Sequence, residues 1–132
     1  ENDPQKQKIF TIASWYNNIN FKTLPWNRGF TDYVGKCIAT IYIPIDEDFG
    51  MSPVESMSAW KPVLWVDDGW LKETIIDGKT WYLIPKEANI EDIIDAINKL
   101  TIESCIEMKE DCIERAKDFS LVQFEKKLKE YV

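Results

Sequence analysis

The sequence predicts an α/β fold, in which a parallel sheet is covered by helices on both faces. Three observations predict it. Short runs rich in β-branched and aromatic residues are apolar on both faces, as strands inside a parallel sheet are. The segments between several of these runs are long enough for a helical crossover. Apolar residues at helical spacing fill the carboxyl-terminal third of the chain.

The individual elements follow from turn residues and hydrophobic period. We predict strands at residues 8–13, 19–24, 38–45, 62–66 and 80–84. Short helices are expected just before the last two strands, at residues 51–59 and 71–76. A further helix begins after Asn89, because Asn89 is a good N-cap and Asp92 three positions later forms a variant capping box. The next helix carries apolar residues between 102 and 116, and the last begins after Ser120 with Gln123 at the box position.

Composition bounds the class of protein. The chain has 132 residues, 45% of them hydrophobic, which excludes a disordered chain. No repeat or linker divides it, so residues 1–132 are expected to form a single domain. The net charge of −7 argues against a nucleic-acid partner, because phosphates need cations. The absence of His removes imidazole bases, Ser-His-Asp or Cys-His pairs and His-containing zinc sites.

The cysteines and the lengths of the apolar runs indicate the cellular compartment of the protein. Cys37, Cys105 and Cys112 are odd in number and lack CxxC spacing, so we expect buried free thiols in a reducing compartment. No apolar run approaches the roughly 18 residues that a membrane span needs. No signal peptide opens the sequence. The expected location is therefore cytoplasmic, without a membrane span.

The segment EDFGMSPVE, residues 47–55, carries the most chemical information. It follows a buried strand, turns at Gly50 and opens a helix at about Met51. This geometry aims free backbone N–H groups at a ligand beyond the carboxyl edge of the sheet, where anions bind well. Glu47 and Glu55 bracket the turn, and carboxylates suit vicinal sugar hydroxyls. The simpler interpretation of both glutamates is loop solvation and helix capping.

With these residues the chain resembles the retaining glycosyltransferases of family 4. The two glutamates with seven residues between them match the family motif, and the match continues through ESMSAWKPVLWVDDGWLKETIIDGKTWYLI. The resemblance covers about residues 19–132. It implies the carboxyl-terminal, Rossmann-like domain of a GT-B enzyme, which binds the nucleotide-sugar donor in transfer of a sugar to an acceptor hydroxyl.

The resemblance also implies roles for single residues. Glu47 would act at the reacting centre, against the donor sugar. Glu55 would accept hydrogen bonds from the ribose. Sugar and diphosphate oxygens would be held by four backbone amides, those of Phe49, Gly50, Met51 and Ser52. GT-B enzymes generally need no metal or cofactor, because helix N-termini and basic side chains stabilise the leaving diphosphate. Asp67 and Asp68 are accordingly interpreted as a turn before Gly69 more readily than as a metal pair.

The sequence departs from the family pattern at three tryptophans, Trp60, Trp70 and Trp81, which stand where relatives usually carry glycine. A left-handed conformation costs a residue such as Trp about 1 to 2 kcal/mol. Two outcomes stay open. Either the turns relax to ordinary conformations and the site survives, or donor binding is altered or lost. A third possibility is that the rings form a platform on which a sugar stacks.

The start of the chain also departs from the family pattern. The family's first strand–helix unit, with the Arg and Lys that grip the diphosphate, has no match among Lys6, Lys8, Lys22 and Arg28. We therefore expect most of a donor-binding domain that is insufficient for catalysis by itself, and an acceptor-binding N-terminal domain in the same or another chain. The alternative function is a non-catalytic Rossmann-like module for protein interaction, with a degenerate donor site.

Overall fold

The computed structural model describes residues 3–22, 28–43, 50–67, 74–76 and 78–131, with the side chains of residues 28–30 left aside. Contacts divide the chain into two compact units, residues 1–30 and 31–132. The described elements are, in chain order, α1 (Pro4–Ala13), α2 (Arg28–Lys36), β1 (Thr40–Tyr42), α3 (Met51–Ser58), β2 (Val63–Val66), β3 (Trp81–Ile84), α4 (Ile90–Lys99), α5 (Ile102–Glu107), α6 (Lys109–Lys117) and α7 (Leu121–Glu130).

The first unit corrects the strand predicted at residues 8–13, which lie in α1. Asp3 caps this helix by accepting a 2.9 Å hydrogen bond from the N–H of Gln5, and Pro4 occupies its first position. These start signals outweigh the short apolar run, because Pro is preorganised for the first helical turn. Residues 19–22 of the second predicted strand are irregular, and residues 23–24 lie outside the described ranges. The rings of Phe10 and Phe21 meet at 4.2 Å between centroids.

The second unit contains a parallel sheet in the order β1-β2-β3. Thr40 pairs with Val63, and Val63 pairs with Trp81. The structure confirms the parallel α/β prediction and the two strands predicted at residues 62–66 and 80–84. The strand expected over residues 38–45 is shorter, since β1 ends at Tyr42 and residues 44–45 lie outside the described part.

Helices cover both faces of this sheet, so the second unit has three layers. On one face, Trp65 and Trp81 pack against Met57 of α3. They also pack against Met108, the residue just before α6, and against Cys112 within α6. The other face has a smaller cluster, in which α4 supplies a buried alanine. The members of this cluster are Leu64, Ile84 and Ala96. Every residue of β2 is buried, which explains why its sequence shows no alternation of polar and apolar residues.

The carboxyl-terminal helices confirm their predicted caps. Asn89 and Asp92 exchange two 3.0 Å hydrogen bonds, a capping box at the start of α4. Ser120 accepts a 3.4 Å hydrogen bond from the N–H of Gln123 at the start of α7. The single helix expected over residues 102–116 is instead two. It breaks at Met108, whose ψ of −10° leaves the regular helical path while its side chain enters the core.

Two further segments differ from the predicted helices. Helix α2 lies between two predicted strands and was not predicted. The helix expected at residues 71–76 is not helical at residues 74–76, and residues 71–73 lie outside the described ranges. Thr74 is instead held from α6, because Arg115 donates a 2.8 Å hydrogen bond from Nε to the Thr74 carbonyl oxygen. Nothing in the local sequence of residues 71–76 signals this distant tether.

Candidate functional site

Helix α3 begins beyond the carboxyl end of β1, and its first turn is the candidate site. Its N-cap is Gly50, whose φ of 70° and ψ of 73° lie in the left-handed region that favours glycine. No described side chain caps the first turn, and that turn has no acidic residue. Pro53 removes one of the N–H groups that a helix start leaves without internal partners. The remaining amides and the helix dipole favour an anion at this end.

Packing fixes the direction of α3. Thr40 of β1 donates a 2.9 Å hydrogen bond from its hydroxyl to the hydroxyl oxygen of Ser56. Val54 and Met57, on the same side of the helix, are buried in the core that Trp65 helps to form. A helix attached to the sheet by both polar and apolar contacts aims its N-terminus at a fixed point, as an anion site requires.

Four of the six residues predicted to form the donor site lie in the described part of the chain, at the start of α3. Gly50 is buried, Ser52 is half-buried and Met51 is exposed, so the chain passes from core to surface at the helix start. Glu55 lies exposed on the same helix, about one turn further on. Glu47 and Phe49 lie outside the described residues. The roles assigned to all six positions stay predictions.

The end of β2 reaches the same edge of the sheet. The N–H of Asp67 donates a 2.7 Å hydrogen bond to the carbonyl oxygen of Ile84, which extends the pairing of β2 and β3 by one residue. This contact fits the strand-end turn that the sequence predicts at Asp67, while Asp68 lies outside the described part. Within the described ranges, no three His, Cys, Asp or Glu side chains converge as metal ligands would.

Residues leading back into β3 are held by contacts that the sequence did not reveal. The guanidinium of Arg115 donates from Nε to the carbonyl oxygen of Thr74 and from Nη1, at 2.7 Å, to Asp118. The hydroxyl of Thr80 lies 3.3 Å from both the N and the O of Ile76. Gly78, with φ of 73°, permits this tight turn. Arg115 therefore positions a segment 41 residues away, and only the tertiary structure shows it.

Trp60 and Trp81, two of the three tryptophans at family glycine positions, lie in different environments. Trp60 has φ of 65°, so its turn keeps the left-handed conformation that glycine normally provides, and of the two outcomes left open the relaxed turn does not occur at this position. Trp81 is only 1% exposed, and its ring lies 6.3 Å from that of Trp65. The stacking-platform interpretation is therefore wrong for Trp81, which is a core residue. Trp70 lies outside the described residues.

The three cysteines are free thiols, as predicted. Cys105 and Cys112 are buried, but Cys37, which was also predicted to be buried, is only half-buried. Burial raises the pKa of Cys112 to about 12, with smaller contributions from Asp111 and Cys105. Burial also raises the pKa of Cys37 and of Cys105. A thiol attacks as its thiolate, so these groups are poor nucleophiles near neutral pH.

Among the described residues, no helix has both the length and the apolar character needed to cross a bilayer.

Parallel strands covered on both faces, with a glycine-led helix at their carboxyl edge, form a Rossmann-like α/β domain. The model of the family described as glycosyl transferases group 1 matches residues 4–119, and the chain belongs to this family. This membership confirms the resemblance that the glutamate motif indicated.

Two curated relatives match part of the chain. The alpha-1,3/1,6-mannosyltransferase ALG2 of Dictyostelium discoideum is 44% identical over 64 residues, which are 48% of this chain and 15% of that protein. The alpha-1,3/1,6-mannosyltransferase alg2 of Schizosaccharomyces pombe is 44% identical over 50 residues, which are 38% of this chain and 10% of that protein. The matched regions are thus a small part of either relative.

Proposed function

We propose that this chain is the nucleotide-sugar-binding part of a retaining glycosyltransferase, acting with an N-terminal acceptor-binding domain in the same or another chain. The observation that carries the proposal is the start of α3. It lies at the carboxyl edge of a parallel sheet, follows a left-handed glycine, and has no described side-chain cap. That arrangement supports a bound diphosphate, whose charge the helix terminus would stabilise by about 0.3 to 2 kcal/mol.

The two glutamates complete the proposed site. Glu55 is exposed one turn into α3, where its carboxylate can accept hydrogen bonds from both ribose hydroxyls of a nucleotide that has its phosphates at the helix start. Glu47 would face the donor sugar at the reacting centre. The backbone amides at Phe49, Gly50, Met51 and Ser52 would hold sugar and diphosphate oxygens. In this scheme the leaving diphosphate is stabilised by amides, so no metal is required.

The relatives suggest the transferred sugar. Both are named alpha-1,3/1,6-mannosyltransferases, and the family match covers residues 4–119 of this chain. We therefore propose that the donor is a nucleotide-activated mannose and that the reaction is mannosyl transfer. A cytoplasmic location and independence from metal stay predictions.

Calorimetric titration of the chain tests donor binding. UDP, GDP and their mannose conjugates would each be titrated with and without a chelator. We expect heat with at least one diphosphate, unchanged by the chelator, and weaker binding by Glu55→Gln. Glu107→Gln changes an exposed glutamate of α5 away from the site and should bind as the unchanged chain does. No heat for any nucleotide at millimolar concentration would contradict donor binding by this chain.

The alternative is a non-catalytic module for protein interaction. One observation favours it: α4 exposes the outward isoleucines Ile90 and Ile94, at 71% and 50% of their surface. Contiguous exposed apolar residues often mark an interaction surface. The same titration separates the two functions, because a degenerate site would bind no nucleotide while the protein remains folded by circular dichroism.

A further inference from the structure

A cavity of about 250 Å³ opens at the amino edge of the sheet, the edge opposite to the start of α3. Its walls come from residues just before β1 and β2 and from the helices α5 and α6. We call it the amino-edge cavity. Its apolar walls are Ile38, Trp60, Ile102 and Ile106, and its cationic side chains are Lys61 and Lys109. At about 30 Å³ of liquid volume for each water, it has room for about eight water molecules.

The apolar walls are unusually open to solvent. Ile38 and Trp60 are each 53% exposed, and Ile102 and Ile106 are 58% and 65% exposed. Single exposed apolar side chains are common, but four around one concavity expose a contiguous apolar surface. A ligand with an alkyl or aryl body would remove that surface from water, which the hydrophobic effect favours.

The charge at the cavity has one sign. Within the described part of the chain, no carboxylate lines the cavity and neither Lys61 nor Lys109 forms an ion pair. Burial raises the pKa of the thiols of Cys37 and Cys105, and the positive charge of Lys61 opposes this effect at both. Since both thiols also line the cavity, the ammonium of Lys61 is close to its interior. Two cations without carboxylate partners stand out in a chain whose net charge is −7.

Trp60 forms part of the wall at an energetic cost. Its φ of 65° is a strained conformation for an L-residue, one that glycine would adopt freely. The ammonium of Lys109 lies 4.2 Å from the centre of the Trp60 ring, a cation–π contact that keeps this positive charge at the cavity mouth. Strained residues of this kind concentrate at ligand clamps.

We propose that the amino-edge cavity binds a small amphipathic anion, with an alkyl or aryl body against Trp60 and the isoleucines and one carboxylate, sulfonate or phosphate between Lys61 and Lys109. Apolar walls with a small number of convergent polar groups are the usual composition of a small-molecule site. This site is independent of the proposed donor site, which lies at the other edge of the sheet.

Calorimetric titration with octanoate, below its micellar concentration and at low ionic strength, tests the proposal. We expect octanoate to bind about tenfold more tightly than octanol, which has the same chain without the charge. Lys61→Met and Lys109→Met should each weaken octanoate binding about two- to fivefold, as expected for solvent-accessible ion pairs. Lys126→Met, on the exposed surface of α7, is the matched control and should bind normally. Equal affinity for octanoate and octanol would overturn the proposal.

A second pair of variants tests the location. Ile106→Asp places a carboxylate at the cavity mouth and should abolish octanoate binding, while Ile94→Asp makes the same change at an exposed position of α4 and should not. Melting curves confirm that both variants fold. Saturating GDP-mannose should leave octanoate binding unchanged, so that failure of either site is visible separately. Binding to vesicles of phosphatidylserine without binding to free octanoate would overturn the proposal in favour of a membrane surface.

Discussion

The backbone N–H of Lys61 donates a 3.0 Å hydrogen bond to the carbonyl oxygen of Ser56 and closes a Schellman motif around Trp60. The N–H of Trp60 completes the motif with a 2.9 Å bond to the carbonyl oxygen of Met57. These two bonds end α3 and turn the chain into β2. They also fix Trp60 in the left-handed conformation, because a relaxed turn would lose them.

We predict that Trp60→Gly is more stable than Trp60→Ala by about 1 kcal/mol. Both variants lose the ring and its contact with Lys109, so their difference isolates the cost of the left-handed φ. Glycine avoids that cost, although the greater entropy of its unfolded chain offsets part of the gain. Urea denaturation of the two variants measures the difference. Equal stabilities would mean that Trp60 is not strained.

Arg115 is expected to stabilise the chain through Thr74 more than through Asp118. Arg115→Leu should lower the free energy of unfolding by about 1 to 3 kcal/mol, because it leaves the carbonyl of the buried Thr74 without this donor. Asp118→Asn removes only an exposed ion pair and should cost about 1 kcal/mol or less. Denaturant unfolding of the two variants compares them. A larger loss for Asp118→Asn would contradict this assignment.

The free energy of unfolding should fall at alkaline pH because the buried thiol of Cys112 holds its proton. The pKa of the folded thiol is raised by burial from an ordinary 9.0 to about 12. Below pH 9 both states hold the proton, so the contribution to stability is complete. Between pH 9 and pH 12 the unfolded chain loses the proton first, and stability drops by up to about 1.4 kcal/mol for each pH unit.

The measurement compares the unchanged chain with Cys112→Ala by urea denaturation between pH 8 and pH 10. Lysines and tyrosines titrate alike in both proteins, so the difference reports the thiol. The variant should begin less stable, because it loses buried volume, and should then decline less steeply as the pH rises. Parallel declines would show that Cys112 does not hold its proton in the folded state.

The two glutamates of the proposed donor site should have different effects on transfer. In a form of the protein that transfers sugar, Glu47→Ala should lower kcat by about a hundredfold or more, since it removes a group at the reacting centre. Glu55→Ala should raise KM for the donor about tenfold, since it removes hydrogen bonds to the ribose. Glu107→Ala, at an exposed position of α5 away from this edge of the sheet, is the control. Equal, small effects of the two changes would contradict these roles.

Local signals in the sequence predicted the elements that they directly encode. The strands at Val63–Val66 and Trp81–Ile84 are short runs buried on one or both faces, which is how parallel strands appear in sequence. The capping box of Asn89 and Asp92 needs only residues three apart. Residues 8–13 are helical and do not form the predicted strand, because the Asp3–Pro4 helix start outweighs the apolar run that follows it.

The features of the candidate site also separate into those that local sequence encodes and those that packing sets. Residue types and short spacings were enough to identify the family, the glycine turn before α3 and the candidate glutamates. Three other features became visible only in three dimensions: Arg115 holds Thr74, Trp81 is buried while Trp60 keeps a left-handed turn, and two lysines and four apolar side chains meet at one cavity. These relations join residues distant in the chain, and their energies depend on packing that local sequence does not encode.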